Sequence, residues 1–207
     1  MAITNHTVGA TQIRKASAED EPRIAGILAR AFFDDPVFRW VCPDDERRDA
    51  LLPGFFALFT QTMGRHGEIY VAGDGACAAL WAPPGRPAVS EEDADEFGRR
   101  MEEMSGVDAE RMFAVSKLLD AHHPPGSDWF LQFVGVEPAR QGRGVGSALL
   151  APMLERCDRE RARAYLDATS LDNKRLYERH GFRAGGEHAL EGGPPLWPMW
   201  REPRART

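Results

Sequence analysis

The stretch Gln141-Gly142-Arg143-Gly144-Val145-Gly146-Ser147 lies between an apolar strand-like run, Trp129 to Val136, and a helix-like run, Ala148 to Arg161. Glycines in alternation let the backbone approach a ligand with no Cβ in the way, and the helix start behind them offers N–H groups that have no partner inside the helix. This pattern predicts a phosphate-binding turn. Spacing then separates the candidate ligands. A nucleoside triphosphate loop needs Lys followed by Ser or Thr after its last glycine, whereas Gly146 is followed by Ser147 and Ala148. A dinucleotide fold has in its favour Asp167, which lies at a strand about 20 residues beyond the glycines, where a ribose-binding acid falls. Against it, the five residues Glu137 to Gln141 separate the strand from the first glycine, and the spacing is Gly-x-Gly-x-Gly. Too little chain follows to build the parallel sheet that fold requires.

The third reading is an acyl-coenzyme A pyrophosphate site. Gln141-x-x-Gly144-x-Gly146, preceded by Val136-x-Pro138, resembles the acetyl-CoA signature of the GNAT superfamily of N-acetyltransferases. Asn173-x-x-x-Tyr177-Glu178-x-x-Gly181-Phe182 is similar to that superfamily's later motif, with one helix and one strand between the two. Trp129-Phe130-Leu131, Tyr177-Glu178-Arg179, the tail Gly193-Pro194-Pro195-Leu196-Trp197 with Met199, and a helical insertion before His123 resemble the puromycin N-acetyltransferase-like branch. The likeness spans roughly residues 13 to 202.

The resemblance implies an α/β (α+β) GNAT fold, whose central, mostly antiparallel twisted sheet has about seven strands flanked by helices. In that fold the fourth strand splays from the fifth. Val134, Gly135 and Val136 would line the wedge, their backbone groups pairing with the pantetheine arm as an added strand does. Gln141, Gly142, Arg143, Gly144, Val145, Gly146 and Ser147 would cradle the pyrophosphate, Asn173 would contact the coenzyme, and Tyr177 would meet its thioester end. The implied activity is acetyl transfer from acetyl-CoA to a primary amine of a small molecule, such as an antibiotic or metabolite, with no metal. A non-catalytic acyl-CoA sensor and an acetyltransferase of protein or peptide amines are the alternatives.

Acetyl transfer needs a neutral amine, support for an oxyanion and a proton for the departing thiolate. Tyr177 is the candidate acid, since a phenol at about 10 sits only a little above a thiol at about 8.5; packing against Phe182 is its other reading. Asp167 is the candidate base, with a purely structural pairing as the alternative, and His123 and Asp128 are further candidates. Phe33, Asp34, Trp81 and Trp129 are candidate walls of the acceptor pocket, where Asp34 would attract an ammonium group. Asp34 and Asp35 read equally as terminators of a helix. Arg143 either adds charge to the cradle or is a solvated side chain.

The chain of 207 residues suits one domain, residues 13–202, between tails 1–12 and 203–207 expected to be disordered, with an insertion at about 83–126. Its net charge of −6 argues against nucleic acid or anionic membrane as partner. Cys42, Cys77 and Cys157 are widely spaced, and the polar start has no signal-peptide core, so a cytoplasmic protein with reduced thiols is expected. Members of the superfamily often dimerise, and Leu196, Trp197 and Trp200 offer a surface on which two copies can pair.

Apolar periodicity predicts helices over 20–33, 46–65 and 90–121, a Gly73-Asp74-Gly75 hairpin, strands at 129–136 and 164–169, and a helix over 173–180 closed by Gly181. Pro53 is expected near the first turns of its helix, and Leu196 to Trp200 on an edge strand, where proline is tolerated.

Overall fold

The structure, a computed structural model, describes residues 6–8, 11–65, 68–123, 126 and 128–204. One sheet runs through it in the order β1 (His6–Val8), β2 (Thr11–Lys15), β3 (Ile69–Ala72), β4 (Cys77–Ala82), β5 (Trp129–Val136), β6 (Ala164–Ala168), β9 (Pro195–Arg201) and β7 (Arg183–Ala184), with β8 (His188–Ala189) also on β9. Every pairing is antiparallel except β5 with β6. This is the GNAT fold. β1 pairs with β2, so part of the stretch expected to be a disordered tail belongs to the sheet; residues 1–5 and 9–10, and the end of the chain from 205, lie outside the described residues.

Each face of the sheet carries its own apolar cluster. In β4, Ala78, Leu80 and Ala82 join α1 (Glu21–Phe32), α2 (Pro36–Val41) and α3 (Asp45–Gly64), while Cys77, Ala79 and Trp81 join α6 (Val145–Glu160). A strand covered on both faces has no polar side, which is why β4 reads as continuously apolar. The Gly73–Gly75 turn closes β3 on β4: Gly75 takes a positive φ of 74° and donates to the Ala72 carbonyl at 2.9 Å. Before α1, Asp20 accepts the Ser17 N–H at 2.9 Å and two bonds from Arg14 at 2.7 Å. That guanidinium holds the Asp20 carboxyl well below the usual range.

Several expectations are corrected. The run 90–121 is two helices, α4 (Ala94–Ser105) and α5 (Ala109–His122), because Gly106 adopts φ 51° and breaks the first. Helix α2 is new, and Asp35 caps it. Pro53 lies in the interior of α3, not near its start. The tail strand β9 is not an edge: it registers Asp167 against Pro198 and Leu166 against Met199, while β7 and β8 cover its other side. Pro198 is tolerated there because its missing N–H falls between those two short strands, where its carbonyl accepts from Gly185 at 2.9 Å. Leu196 and Trp197 are buried within the chain, and of the three tail residues expected to pair only Trp200 is half-buried.

Candidate active site

Strands β5 and β6 pair only at Trp129 with Ala164 and at Phe130 with Tyr165; from Leu131 onward they part. On its other edge β5 stays paired with β4 to Val136, with a register shift between Leu80 and Trp81 that leaves Gln132 unmatched. Glu137 donates its N–H to the Ala76 carbonyl at 2.9 Å. By the two-residue period of a strand, Gly135 and Phe133 also turn toward β4, and Val134 and Val136 turn their backbone groups into the opening. Gln132, the bulged residue, sets that phase. Gly135 therefore does not face the gap. A Cβ there would lie 2.8 Å from Leu28 Cδ2 and 2.9 Å from Ala31 Cβ, so this glycine lets α1 seat against the strand.

Below the gap the chain turns through a short 3-10 segment, Pro138–Arg140, into the glycine run. Gly142 and Gly144 have φ of 71° and 79°, left-handed conformations that glycine adopts without penalty, and nothing lies within 4 Å of a Cβ at either. Gly144 is the N-cap of α6, and the cap side chain that elsewhere satisfies the first N–H groups is missing, so those of Val145, Gly146 and Ser147 point outward. The Gln141 side chain donates to the Val136 carbonyl at 3.1 Å and braces the loop against β5. At Gly146 a Cβ would press on Val136 Cγ2 at 3.4 Å. Arg143 is exposed and makes no ion pair among the described residues. Ser147 Oγ lies 2.9 Å from His180 Nε2, whose imidazole is kept toward the neutral form by burial and by Arg179, Arg204 and Arg201. A cradle of free N–H groups with two left-handed glycines fits a pyrophosphate.

Past β6, Ser170 caps α7 (Leu171–Arg179) by accepting the Asn173 N–H at 3.2 Å. Asn173 Nδ2 donates to Thr169 Oγ1 at 3.4 Å, and Thr169 Oγ1 donates to Asp35 Oδ2 at 2.5 Å. Tyr177 is buried one turn further on, its ring 5.9 Å from that of Phe182, and its hydroxyl has no hydrogen-bond partner among the described residues. Burial, and then the charge of Asp35, push its phenol above the ordinary range. It holds its proton at any physiological pH. Gly181 closes α7 with φ 92°, as its sequence position predicts.

Asp167 stands on β6 two residues beyond Tyr165, on the helical side of the sheet, and accepts the Tyr165 hydroxyl at 2.8 Å. Burial pushes its carboxyl up to about 6, against the opposing pull of that bond and of His122. Rings gather about its partner Tyr165, with Phe130 and His123 each 5.5 Å from the Tyr165 ring, and His122 lies against His188 at 3.8 Å. His123 is held toward its neutral form by burial. Asp128 ties Arg163 at 3.0 Å and its charge draws His123 the other way, toward the protonated form.

The expected acceptor walls fare unevenly. Trp81 and Trp129 are buried in the cluster beneath α6, on the opposite face; Arg156 lies 4.5 Å above the Trp129 ring. Asp34 is exposed and faces Arg39 at 3.7 Å. Its neighbour Asp35 is the buried one, and sequence reasoning misses it because a helix-ending Asp-Asp-Pro looks the same whichever acid turns inward. Phe33 is half-buried, with the Arg48 guanidinium 4.5 Å from its ring. Among the described residues no group of three or more His, Cys, Asp or Glu is placed to hold a metal, and no helix is long and apolar enough to cross a membrane.

Residues 109–184 match the family described as Acetyltransferase (GNAT) domain. The chain is 28% identical to an uncharacterized N-acetyltransferase of Schizosaccharomyces pombe, over 82% of this chain and 73% of that protein. The crystal structure of histone acetyltransferase HPA2 and related acetyltransferase from Corynebacterium glutamicum matches with TM-score 0.73 and 28% identity, over 95% of this chain and 98% of that one. Arylalkylamine N-acetyltransferase 2 from Aedes aegypti shares the fold, with TM-score 0.64 and 16% identity over 94% and 99% of the two chains.

Proposed function

We propose that this chain, an acetyltransferase whose residues 109–184 match the GNAT domain, moves the acetyl group of acetyl-CoA to a primary amine of a small molecule. The observation that supports this reading is the free edge of β5 beyond Phe130, which runs down to a turn with left-handed Gly142 and Gly144 and to an α6 start with no side-chain cap; Tyr177 on α7 serves as the acid of this reading, and Asp167 on β6, a carboxyl pushed up to about 6, as its base. Acetyl-CoA supplies the acetyl group as a thioester. Gly142, Gly144 and the first N–H groups of α6 hold its pyrophosphate, and Val134 and Val136 pair with its pantetheine amides across the open edge of β5. Asp167 is ionised above about pH 6 and takes a proton from the incoming ammonium. The amine nitrogen attacks the thioester carbonyl, the carbon–sulfur bond breaks, Tyr177 gives its proton to the leaving sulfur, and the further proton that the nitrogen sheds as the amide forms returns Tyr177 to its neutral form.

The rings of Phe130, His123 and Tyr165 beside Asp167 make a small, partly apolar acceptor site. The three cysteines are buried and unpaired, their thiols pushed up by burial, as suits a reducing cytoplasm. Release of thiol from acetyl-CoA, measured over a panel of aminonucleoside antibiotics, polyamines, arylalkylamines and peptides, tests the proposal. Release that depends on a small amine supports it. Release with peptides alone favours a protein acceptor, the class for which the Corynebacterium glutamicum histone acetyltransferase is named, and coenzyme binding with no acceptor-dependent release favours a sensor.

A further inference from the structure

We propose that Asp35 is a positioning residue of the transfer site: its carboxyl group, buried where the α1–α2 turn meets the end of β6, orients Thr169 and, through it, Asn173. The proposal rests on the reading of Tyr177 and Asn173 as residues of the coenzyme's thioester end. Asp35 is only 8% exposed. Its Oδ1 accepts the Val37 N–H at 2.9 Å, and its Oδ2 accepts from Thr169, 134 residues away in the chain.

Capping α2 explains the first bond and not the charge, because Asn or Ser caps a helix as well as Asp. A buried carboxylate is costly unless paired, and no cation pairs with Asp35 among the described residues; Arg39 is turned to Asp34 instead. Burial pushes Asp35 up, while Thr169 and the first N–H groups of α2 draw it back toward the ionised form. Buried titratable groups held in this way concentrate at functional sites.

The hydrogen bonds run in one direction. Asn173 Nδ2 donates to Thr169, and Thr169 donates to Asp35. Thr169 has a single proton to give, so the carboxylate fixes the rotor of its hydroxyl, which presents a lone pair to Asn173 and settles which way that amide faces. The turn that forms the acceptor side of the gap is thereby tied to the helix that carries Tyr177.

Asp35→Asn keeps the cap on the Val37 N–H through its Oδ1 but turns an amide NH2 toward Thr169, which can no longer donate there, so the chain to Asn173 is broken. Thr169→Val breaks the same chain at its centre. Each is expected to weaken coenzyme A binding several-fold in calorimetry, and the double variant to bind no more weakly than either single one, because both cut one chain. Unchanged affinity in either single variant, or losses that add in the double variant, overturns the orienting role. Neither measurement uses an acceptor, so either can fail while acetyl transfer stands. A Tyr177→Phe variant with full acetyl-transfer activity removes the reading of Tyr177 as acid, and the proposal with it.

Discussion

On the proposed coenzyme side of the gap, Val134, Gly142, Gly144, Asn173 and Tyr177 come from one continuous run of chain, whereas the proposed acceptor side joins Asp167 of that run to Asp35, His122 and His188, which come from three segments outside it. The first side is made largely of backbone: an unpaired strand edge, two left-handed glycines and the open end of α6. The second is made of side chains that meet only when the helices fold onto the sheet. Backbone sites tolerate changes in side chains that do not alter chain conformation, and side-chain sites tolerate almost none. Substitutions can break this contrast.

The largest effect is expected where a side chain would force the backbone. Gly144→Val puts a β-branched residue at φ 79° and misaims the first N–H groups of α6. Losing two charge-assisted bonds at about 1.5 kcal/mol each weakens acetyl-CoA binding about 100-fold in calorimetry. Undiminished affinity would mean that the cradle is elsewhere. Next comes Asp167→Asn, which keeps an acceptor for the Tyr165 hydroxyl and loses the base. Steady-state turnover should fall about 100-fold with acetyl-CoA affinity unchanged.

Smaller and different in kind is Gly135→Ala. Its new Cβ would meet Leu28 and Ala31 closer than 3 Å, so a destabilisation of about 1–3 kcal/mol is expected in denaturant unfolding. The folded fraction should still bind coenzyme, since Gly135 serves the seating of α1. Loss of binding without loss of stability would return this glycine to the coenzyme site. Least of all, Asp34→Ala should alter stability by no more than about 0.5 kcal/mol and leave the acceptor KM in place, because Asp34 is exposed outside the Asp167 group.

The same contrast explains what is legible in the sequence. The glycine spacing, the Gly181 terminator and the Asn173–Tyr177 motif are local signals, and each is read within a few residues. The parting of β5 from β6 follows from the family likeness, but the bulge at Gln132 that aims Val134 and Val136 has no local signature. Asp35 and Asp34 are adjacent and chemically identical; only the docking of the turn on Thr169 distinguishes them. Trp81 and Trp129 read as pocket walls because large aromatics suit ligands, yet α6 buries them first. His122 and His188 stack across segments that no periodicity links.

The pH dependence of kcat/KM for the best amine, compared between the parent protein and Asp167→Asn, tests most directly whether the two sides meet at one reaction. Asp167 is raised to about 6, so it is protonated below that pH and cannot accept the ammonium proton. The parent rate should therefore fall as pH drops through about 6, on a limb separate from the titration of the amine itself, and Asp167→Asn should be slow and lack that limb. A limb near pH 6 that persists in Asp167→Asn, or a variant as fast as the parent, would contradict the assignment of Asp167 as the base.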